Sequence, residues 1–500
     1  MAIVNSTVAK QHDNPHSAKS ATTRNESSVP DSDNGSSEYF IDPIKERRMM
    51  RKFDLYAIMA MGVLYMMSNL DRSNLGNANI AGMPEDIGLV GNQFGTATTL
   101  LFATYVPLEG PVAVLLKVIG PKPLMTVSAF CWGASSLGMA FIQNYHGLYA
   151  CRLLIGLFEA GLIPCINVYL GWVYKKSERG QRSSFIFAFS AFSSAFGGIL
   201  AYGLTQIRTS NFEGWRWLFA VEGAMTIIVV PMFWLVFPES PTEAWFLTAD
   251  EKDMMKARYA ADPSWGHDEK FSWNECLKAF TDPKWYAFFA YQFSVNISLY
   301  GLTTFMPAIV RGLGYASVTA NLMTVPIYVC ALVFFLVIAY FSDRTGYRGP
   351  YIAGCLLCLI VGYALLISVD NLKVRFFASF VAALGIYPTT GLSLMWLQDN
   401  VSKHYKRATM VGFTLCLGNT AGVAVGQIFT TQTAPRYIPG LTIALGLACF
   451  AFVDVLVLMA AFTWVNRKRA AKILAAEQAG TPLVPNPDLG DYDVYFRYSI

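Results

Sequence analysis

The sequence predicts an all-α protein that crosses a membrane twelve times, with its helices divided into two bundles of six. Its 500 residues are 54% hydrophobic and only 14% charged, whereas about a quarter of the residues of a soluble domain are charged. Apolar blocks of about 20 residues or more recur along the chain, and a helix needs this length to cross the ~30 Å hydrocarbon core of a bilayer. This composition excludes a secreted enzyme and a nucleic-acid-binding protein.

Twelve apolar blocks, called spans one to twelve, are separated by polar segments. Spans one to six cover residues 53–78, 92–116, 122–142, 146–173, 183–207 and 215–237, and spans seven to twelve cover 285–310, 318–341, 349–369, 374–397, 408–432 and 440–465. The long loop 238–284 divides the chain into an N-terminal bundle, 53–237, and a C-terminal bundle, 285–465. The segments 1–52 and 466–500 are predicted to be tails, and the first is too polar to fold, which predicts disorder.

The distribution of Lys and Arg predicts that both ends of the chain are cytosolic. With this orientation the first tail carries eight of these residues, the cytosolic loops seventeen and the last tail five, against six in the outer loops. Loops rich in Lys and Arg stay on the cytosolic side of a membrane. The strongest single contribution is the basic cluster from Lys45 to Lys52, directly before span one.

Corresponding loops of the two halves resemble one another. The basic loop 175–182 after span four corresponds to 403–407 after span ten, and 117–122 after span two corresponds to 342–348 after span eight. Parallel repeats of six helices are typical of transporters in which two bundles rock about a central substrate site. The pattern therefore favours a transporter.

Charged residues inside the spans mark the predicted site, because a charge at the bilayer centre costs about 2.5–3.5 kcal/mol. They are Asp71, Arg72, Glu109, Arg152, Glu159, Glu222 and Asp454. From the ~1.5 Å rise per residue, Arg72 and Arg152 both lie in the outer part of the membrane, with Glu159 two helical turns beyond Arg152. Two guanidiniums above a carboxylate are expected to form a pocket for an organic anion. We interpret Glu222 and Asp454 as interhelical contacts.

Each of the other charged residues has a structural interpretation beside the functional one. Asp71 and Arg72 could form a local ion pair, Arg152 could extend to the interface, and Glu159 could be a structural acid bonded to a neighbouring helix. In the functional interpretation Arg72 and Arg152 bind the anion, while Glu159 exchanges its proton as the pocket opens and closes. Glu109 lies near the cytosolic end of span two, where we expect a structural or gating role.

Uncharged polar residues are predicted to complete the pocket. Gln292, Asn296 and Tyr300 are spaced four residues apart in span seven and share one helix face. Further candidates on other spans are Tyr105, Tyr387 and Asn419. Ordinary hydrogen bonding between helices explains each of them equally well. Glycines that recur every four positions across 418–426 indicate close helix packing.

Several motifs together resemble the major facilitator superfamily, and within it the organic anion:cation symporter branch that includes fungal allantoate and nicotinate permeases. The resemblance covers residues 53–470. It is carried by Asp71-Arg72-x-Asn74-x-Gly76-x-Ala78, Glu109-x-Pro111, Arg152-x-x-x-Gly156-x-x-Glu159-Ala160-Gly161-x-x-Pro164, Glu178-Arg179-x-x-Arg182, Gly214-Trp215-Arg216-Trp217-Leu218-Phe219-x-x-Glu222-Gly223 and the loop from Asn400 to Arg407.

The resemblance implies the fold of this superfamily and transport by alternating access. It implies that the residues matching Arg72 and Arg152 recognise the anion, and that those matching Asp71 and Glu159 take part in proton coupling. The pair Asp343-Arg344 after span eight keeps the superfamily's loop signature, and we assign it a structural or gating role. The first tail and the start of the central loop are similar to fungal members, which implies a plasma-membrane permease.

The predicted function is proton-coupled import of a small organic anion, a carboxylate such as nicotinate, allantoate or another vitamin-like acid. Its partners are the anion, the proton and the lipid bilayer, with no nucleic acid and no cofactor, and a monomer is expected. The nine cysteines lack the spacing of paired disulfides or a metal site. An exporter of an acidic metabolite and a nutrient sensor that moves no substrate are the alternatives. An enzyme is excluded, because the sequence contains no nucleophile–base pair or phosphate-binding loop.

Overall fold

The computed structural model describes residues 42–207, 212–261, 273–481 and 483–500. Across these residues the chain forms eighteen α-helices. The first tail was predicted to be disordered, and its residues 1–41 lie outside the described part of the chain.

The helices follow the order of the predicted spans. Those of the N-terminal half and the central loop are α1 (Pro43–Phe53), α2 (Met59–Ile80), α3 (Met83–Asp86), α4 (Gln93–Ile119), α5 (Pro121–Met139), α6 (Tyr145–Glu159), α7 (Leu162–Val173), α8 (Lys176–Leu204), α9 (Gly214–Val236), α10 (Ala249–Ala261) and α11 (Trp273–Phe280). Those of the C-terminal half are α12 (Pro283–Arg311), α13 (Ser317–Thr345), α14 (Gly349–Ser368), α15 (Leu372–Asp399), α16 (His404–Asn419), α17 (Ala421–Ile428) and α18 (Ile438–Gln478). A π-helical turn, Asp54–Ile58, joins α1 to α2.

The twelve predicted spans correspond to α2, α4, α5, α6 with α7, α8 and α9 in the first half, and to α12 to α15, α16 with α17, and α18 in the second. In the described part of the chain, ten helical segments are long and apolar enough to cross a membrane by length and composition alone. The other two spans, α4 and α5, have 27 and 19 residues and are not among these ten segments. Helix α4 packs against α6 and α17, and α5 packs against α6 and α9, so both belong to the bundle.

Two predicted spans are each broken into two helices. Span four breaks at Ala160-Gly161, because Pro164 has no N–H to donate and its ring clashes with the carbonyl four residues before it. Span eleven breaks at Thr420, whose hydroxyl bonds back to a carbonyl in the preceding turn and competes with the helical backbone. The breaks directly follow Glu159 in one half and Asn419 in the other, so each places a candidate site residue at a helix end.

Helical structure extends further into both predicted tails than expected. Residues 43–52 belong to α1, whose start is capped by Asp42 through a hydrogen bond from the Ile44 N–H to the carboxylate. At the other end, α18 continues beyond residue 465 to Gln478. The predicted disorder of the first tail is therefore wrong for residues 43–52.

Helices α1 and α10 form a clamp, called the N-terminal clamp, against the start of α8. Glu46 of α1 pairs with Arg258 of α10 at 3.1 Å, and Arg258 also pairs with Glu178 of α8. Lys52 of α1 pairs with Glu251 of α10 at 2.7 Å. The face of the bundle where this clamp lies is called the terminal face, and the other end of the bundle is called the opposite face.

Residues 487–500 form a second clamp, called the C-terminal clamp, on the terminal face of the C-terminal half. The Asp491 side chain is 2% exposed and pairs with Lys284 at 2.5 Å and with Lys406 at 3.0 Å. Its backbone carbonyl accepts a hydrogen bond from Arg469 at 2.9 Å. The clamp therefore ties together the ends of α12, α16 and α18.

We expect Asp491→Asn to lower the stability of the detergent-solubilised protein by about 3 kcal/mol at pH 7, because it leaves Lys284 and Lys406 with the single carboxylate of Asp282 and one buried positive charge uncompensated. Burial opposes ionisation of Asp491, but Lys284 and Lys406 outweigh it and hold the pKa of its carboxyl below the ordinary value. The stabilisation that ionised Asp491 contributes is therefore complete above its pKa in the unfolded chain, which is about 3.9. It is lost as the pH falls through the lower pKa of the folded protein.

Thermal unfolding of the two proteins from pH 7 down to about pH 2, below the folded pKa, measures this difference. The melting temperatures should differ most at pH 7 and converge at the acid end. Asp370→Asn is the matched control, because the Asp370 side chain is 88% exposed in its pair with Arg436. An Asp491→Asn variant as stable as the control at pH 7 would contradict the prediction.

The two halves contact each other most closely at the opposite face. Gly95 of α4 and Gly426 of α17 meet backbone to backbone, and a Cβ at Gly426 would overlap the Gly95 carbonyl. Gly76 of α2 likewise leaves no room for a Cβ beside the Thr304 carbonyl of α12. Nearer the terminal face, Gly412 lies on the α16 face that meets α4, yet a Cβ there would have no neighbour within 4 Å. The halves therefore meet in tight backbone contact at the opposite face, whereas a cavity lies between them at the terminal face.

Candidate functional site

An ion pair between Arg72 of α2 and Glu159 of α6 is the core of the candidate site. Arg72 Nη2 lies 2.8 Å and Nε lies 2.9 Å from Glu159 Oε2, so one carboxylate oxygen accepts both N–H groups. Glu159 is fully buried, whereas the Arg72 side chain is 18% exposed. Glu159 Oε1 has no hydrogen-bond partner among the described residues. The pair is therefore accessible only from the side of the arginine.

Aromatic rings surround the Arg72 guanidinium. Its Cζ atom lies 4.8 Å from the ring centroid of Tyr105 and 5.7 Å from that of Phe102, within the range of cation–π attraction. The Phe102 ring lies 4.5 Å from the ring of Tyr300, which belongs to α12 in the other half. The cation is therefore bounded by rings from both halves.

Asn419 connects the two halves through hydrogen bonds. Its Oδ1 atom accepts from the Tyr300 hydroxyl at 2.7 Å, and its amide nitrogen donates to Glu109 at 3.3 Å. Asn296 donates to the same Oδ1 at 3.5 Å and accepts from Gln292 at 3.0 Å. The polar face predicted on span seven therefore meets the N-terminal half through Asn419. The central cluster is defined as Arg72, Tyr105, Glu109, Glu159, Tyr300 and Asn419.

Arg152 and Asp71 lie apart from the central cluster, which differs from the predicted arrangement. Arg152 is 1% exposed, and its Nη1 donates to the Asp71 backbone carbonyl at 3.3 Å. The Asp71 carboxylate accepts from the Ser136 hydroxyl at 2.5 Å. It does not form the local ion pair with Arg72, because neighbouring residues of a helix point about 100° apart. The single pocket predicted between Arg72 and Arg152 is therefore not formed in this structure.

Tyr387 lies elsewhere on the interface between the halves. Its hydroxyl donates to the Ser194 hydroxyl of α8 at 3.1 Å, and its ring lies 6.4 Å from that of Tyr328. The side chain is 5% exposed. Its contacts therefore bridge α15 and α8, and a role in substrate binding stays a prediction.

Asp343 and Arg344, two of the three predicted gating residues, border a cavity of about 640 Å³ between the halves at the terminal face, whereas Glu109 belongs to the central cluster. Asp343 pairs with Arg348 at 2.5 Å, and Arg348 also pairs with Asp399 at 3.0 Å. Arg344 Nη1 instead lies 3.4 Å from the Tyr340 hydroxyl. The basic partner of Asp343 is thus Arg348, five residues further along the chain, and not its neighbour Arg344. The other charged side chains that line the cavity are Arg179 and Arg407.

Two polar residues near the central cluster were missed by sequence analysis. Tyr65 and Asn69 share a face of α2 with Arg72, and all three are partly exposed whereas most other residues of α2 are buried. The Ser190 hydroxyl of α8 donates to Asn69 at 3.0 Å. Their helical spacing from Arg72 is the signal that could have identified them.

The central cluster combines an accessible cation with a buried acid. A guanidinium binds a carboxylate through two parallel hydrogen bonds, and Glu159 occupies the Nε–H and one Nη2–H of Arg72, which are two of its five N–H donors. An incoming carboxylate would therefore bind a guanidinium whose charge Glu159 already partly neutralises. No group of three or more His, Cys, Asp or Glu side chains that could hold a metal ion occurs in the described ranges.

Comparison with known proteins identifies the family. The sequence profile of the Major Facilitator Superfamily matches residues 61–426, which is more than half of the chain. The chain belongs to the Major Facilitator Superfamily. It is therefore a multi-pass membrane transporter and not an enzyme, and the predicted fold class of twelve spans in two bundles is confirmed.

Relatives within the Major Facilitator Superfamily include fungal transporters. The chain is 37% identical over 453 residues to the high-affinity nicotinic acid transporter of Saccharomyces cerevisiae, covering 91% of this chain and 85% of that protein. It is 36% identical over 470 residues to an uncharacterised transporter of Schizosaccharomyces pombe, covering 94% and 93%. These relatives confirm the predicted resemblance to fungal permeases.

A solved structure of the superfamily shares the fold. A bacterial homologue of the human lysosomal transporter Spinster, in an inward-facing and unoccupied conformation, matches with a TM-score of 0.62 and 17% identity. The match covers 81% of this chain and 96% of that structure. At this identity the match supports the fold alone.

Proposed function

We propose that the protein imports small organic carboxylates, with nicotinate as the leading candidate, together with protons. The observation that carries this proposal is the pair of a partly exposed Arg72 and a buried Glu159 at the interface of the two halves. A substrate carboxylate and Glu159 compete for the same guanidinium. A proton on Glu159 releases Arg72 for the substrate, so the proton and the anion enter together.

Electrostatics supports the binding of both the substrate anion and the proton before the site closes and reopens on the other side of the membrane. A substrate anion bound to Arg72 beside an ionised Glu159 places two carboxylates on one guanidinium. The unpaired charge would be buried when the site closes, and burying it carries a large desolvation cost. A proton on Glu159 removes that charge, so the doubly loaded site is the one that closes at least cost.

The surroundings of Arg72 suit a flat aromatic acid. The rings of Tyr105, Phe102 and Tyr300 offer apolar faces next to the cation. The Asn419 side chain accepts a hydrogen bond from the Tyr300 hydroxyl, and the second N–H of its amide can donate to a polar atom of the ligand ring. Nicotinate combines a carboxylate with a ring nitrogen that accepts a hydrogen bond. The name of the Saccharomyces cerevisiae relative supports this choice.

The proposal places the terminal face in the cytosol and the protein in the plasma membrane. The excess of Lys and Arg in the tails and in the loops of the terminal face supports this orientation. An acidic exterior then supplies the protons that load Glu159.

The test is uptake of labelled nicotinate and a panel of other carboxylates by yeast that lacks its own carboxylate permeases. We expect uptake above the external concentration, faster at pH 5 than at pH 7 and abolished by a protonophore. Absence of uptake for every acid, with the protein present at the cell surface, would contradict import.

We expect Glu159→Gln to prevent accumulation while preserving exchange of labelled for unlabelled substrate, because Arg72 stays charged and only the ionisable group is lost. Uptake against a gradient and equilibrium exchange in vesicles measure the two activities. Glu243→Gln, a change of an exposed acid in the central loop, is the control and should behave as wild type. If Glu159→Gln still concentrates the substrate, Glu159 is not the coupling acid.

A further inference from the structure

A second group of charged residues lies beside the central cluster but is shielded from the interface. It comprises Asp71 of α2, Ser136 of α5, Arg152 of α6 and Glu222 of α9, and is called the buried carboxylate cluster. Their exposed fractions are 2%, 0%, 1% and 1% in that order. No position in this group is open to a substrate in this structure.

The close approach of α9 and α5 positions Glu222. Glu222 shares a fully buried face of α9 with Phe219 and Thr226. Gly223 permits the contact, because a Cβ there would lie 2.6 Å from the Cα of Leu137 in α5. Glu222 is therefore held against the helix that carries Ser136.

The hydrogen bonding of the buried carboxylate cluster is incomplete. Among the described residues, Asp71 Oδ2, Arg152 Nε and Nη2, and both carboxylate oxygens of Glu222 have no partner. Buried polar groups are normally paired, and an unpaired buried charge is costly. Five unpaired atoms in one cluster therefore need an explanation beyond helix packing.

The charges of the cluster do not balance when all of its groups are ionised. Two carboxylates face one guanidinium, and Asp71 and Arg152 are the charged groups that act on Glu222. Helix α5, packed against α9, contributes the Ser136 hydroxyl, and in the described part of α8 no charged group acts on Glu222. A proton on one of the two carboxylates restores neutrality without solvent.

The cluster is electrostatically connected to the central cluster. Glu159 acts on both Asp71 and Arg152, and Arg72 also acts on Asp71. Cys151 is a further titratable group next to Arg152. A change of charge in the buried carboxylate cluster therefore alters the field at the Arg72–Glu159 pair.

We propose that Asp71 and Glu222 form a proton-binding site, with Arg152 as its positioning residue, that takes part in coupling alongside Glu159. The inference rests on the proposed import function for its role in coupling. One carboxylate gains the proton as an O–H bond, and the other stays ionised beside Arg152. Arg152 thus orients the proton site and does not contact the substrate.

The first experiment compares Glu222→Gln with wild type in accumulation and in equilibrium exchange. We expect Glu222→Gln to exchange substrate at the wild-type rate but to lose accumulation and the difference between pH 5 and pH 7. Glu222→Asp keeps the ionisable group and should retain coupling. Thr226→Val, one turn further along the same buried face, is the matched control for packing. Wild-type accumulation with an unchanged pH profile in Glu222→Gln, or loss of exchange as well, overturns the inference.

The second experiment needs no substrate and separates this inference from the proposed function. The melting temperature of the purified protein is measured between pH 5 and pH 8. We expect it to fall with rising pH in wild type, because ionisation leaves an unpaired buried charge, and to fall less in Glu222→Gln. If this difference in melting temperature is observed but the wild-type protein takes up no carboxylate, the proton site is supported and the import function is rejected. Identical pH dependence in the two proteins rejects the proton site.

Discussion

Arg72→Gln is expected to reduce uptake by roughly 30-fold to 4,000-fold, since truncating one partner of a buried hydrogen-bonded charge pair costs about 2–5 kcal/mol and each 1.4 kcal/mol is about tenfold. The substitution removes the only accessible cation of the central cluster. It also leaves the fully buried Glu159 carboxylate without its partner, so a loss of stability is expected as well. Uptake normalised to the amount of protein at the cell surface separates the two effects.

The double variant Arg72→Gln/Glu159→Gln tests the physical reason. Removing both charges eliminates the unpaired carboxylate, so its melting temperature should return towards that of wild type while uptake stays absent. Arg311→Gln, a change of an exposed arginine at the end of α12, is the control and should transport normally. Substantial uptake by Arg72→Gln would exclude Arg72 as the anion-binding residue.

Gly426→Leu is expected to abolish transport by preventing closure at the opposite face. The contact between Gly426 and Gly95 has no space for a Cβ, and a leucine would force α17 away from α4. A protein that cannot close this face cannot complete alternating access. The expected result is absence of accumulation and of exchange, with normal amounts of protein at the surface.

Thiol labelling reports the predicted change of conformation directly. The Thr99 hydroxyl donates to the Val423 carbonyl at 2.8 Å in the contact between α4 and α17, so a cysteine at Thr99 is shielded when the opposite face is closed. A membrane-impermeant reagent should label Thr99→Cys strongly in the Gly426→Leu background and weakly without it, above the signal of the native cysteines. Gly412→Ala is the matched control, because a Cβ there has open space around it. Wild-type transport by Gly426→Leu would contradict this account of the closed face.

The sequence was sufficient to predict the spans and the residue types of the site, but not which side chains meet. Span length and the long central loop follow from the hydrophobic thickness of a bilayer, so they could be read from apolar runs alone. Arg152 and Glu159 share a helix face two turns apart, which predicted a common pocket. Helix rotation and depth in the bundle depend on interhelical contacts, such as that between Gly156 and the Leu101 carbonyl, and a single sequence does not reveal these.

The terminal face shows the same limit. Asp343 and Arg344 are adjacent in sequence, yet the end of α13 directs Asp343 towards Arg348. The C-terminal clamp was predicted as a plain tail, because residues 487–500 form no apolar run long enough to cross a membrane. Their order comes from bonds to distant residues, such as the Trp396 ring N–H, which donates to the Ser499 carbonyl at 2.9 Å. Long-range partners of this kind leave no local signal in the sequence.

The two clamps have a consequence for synthesis of the protein on the ribosome. Every contact described for the N-terminal clamp joins residues up to Arg258, so the first bundle can finish packing before the helices of the second bundle are translated. In the second bundle Asp282 and Asp491 together neutralise Lys284 and Lys406, and Asp491 is made long after the other three residues. Domains fold in the order in which they emerge from the ribosome. The C-terminal bundle therefore stays incompletely assembled in the membrane until residues 487–500 have been synthesised.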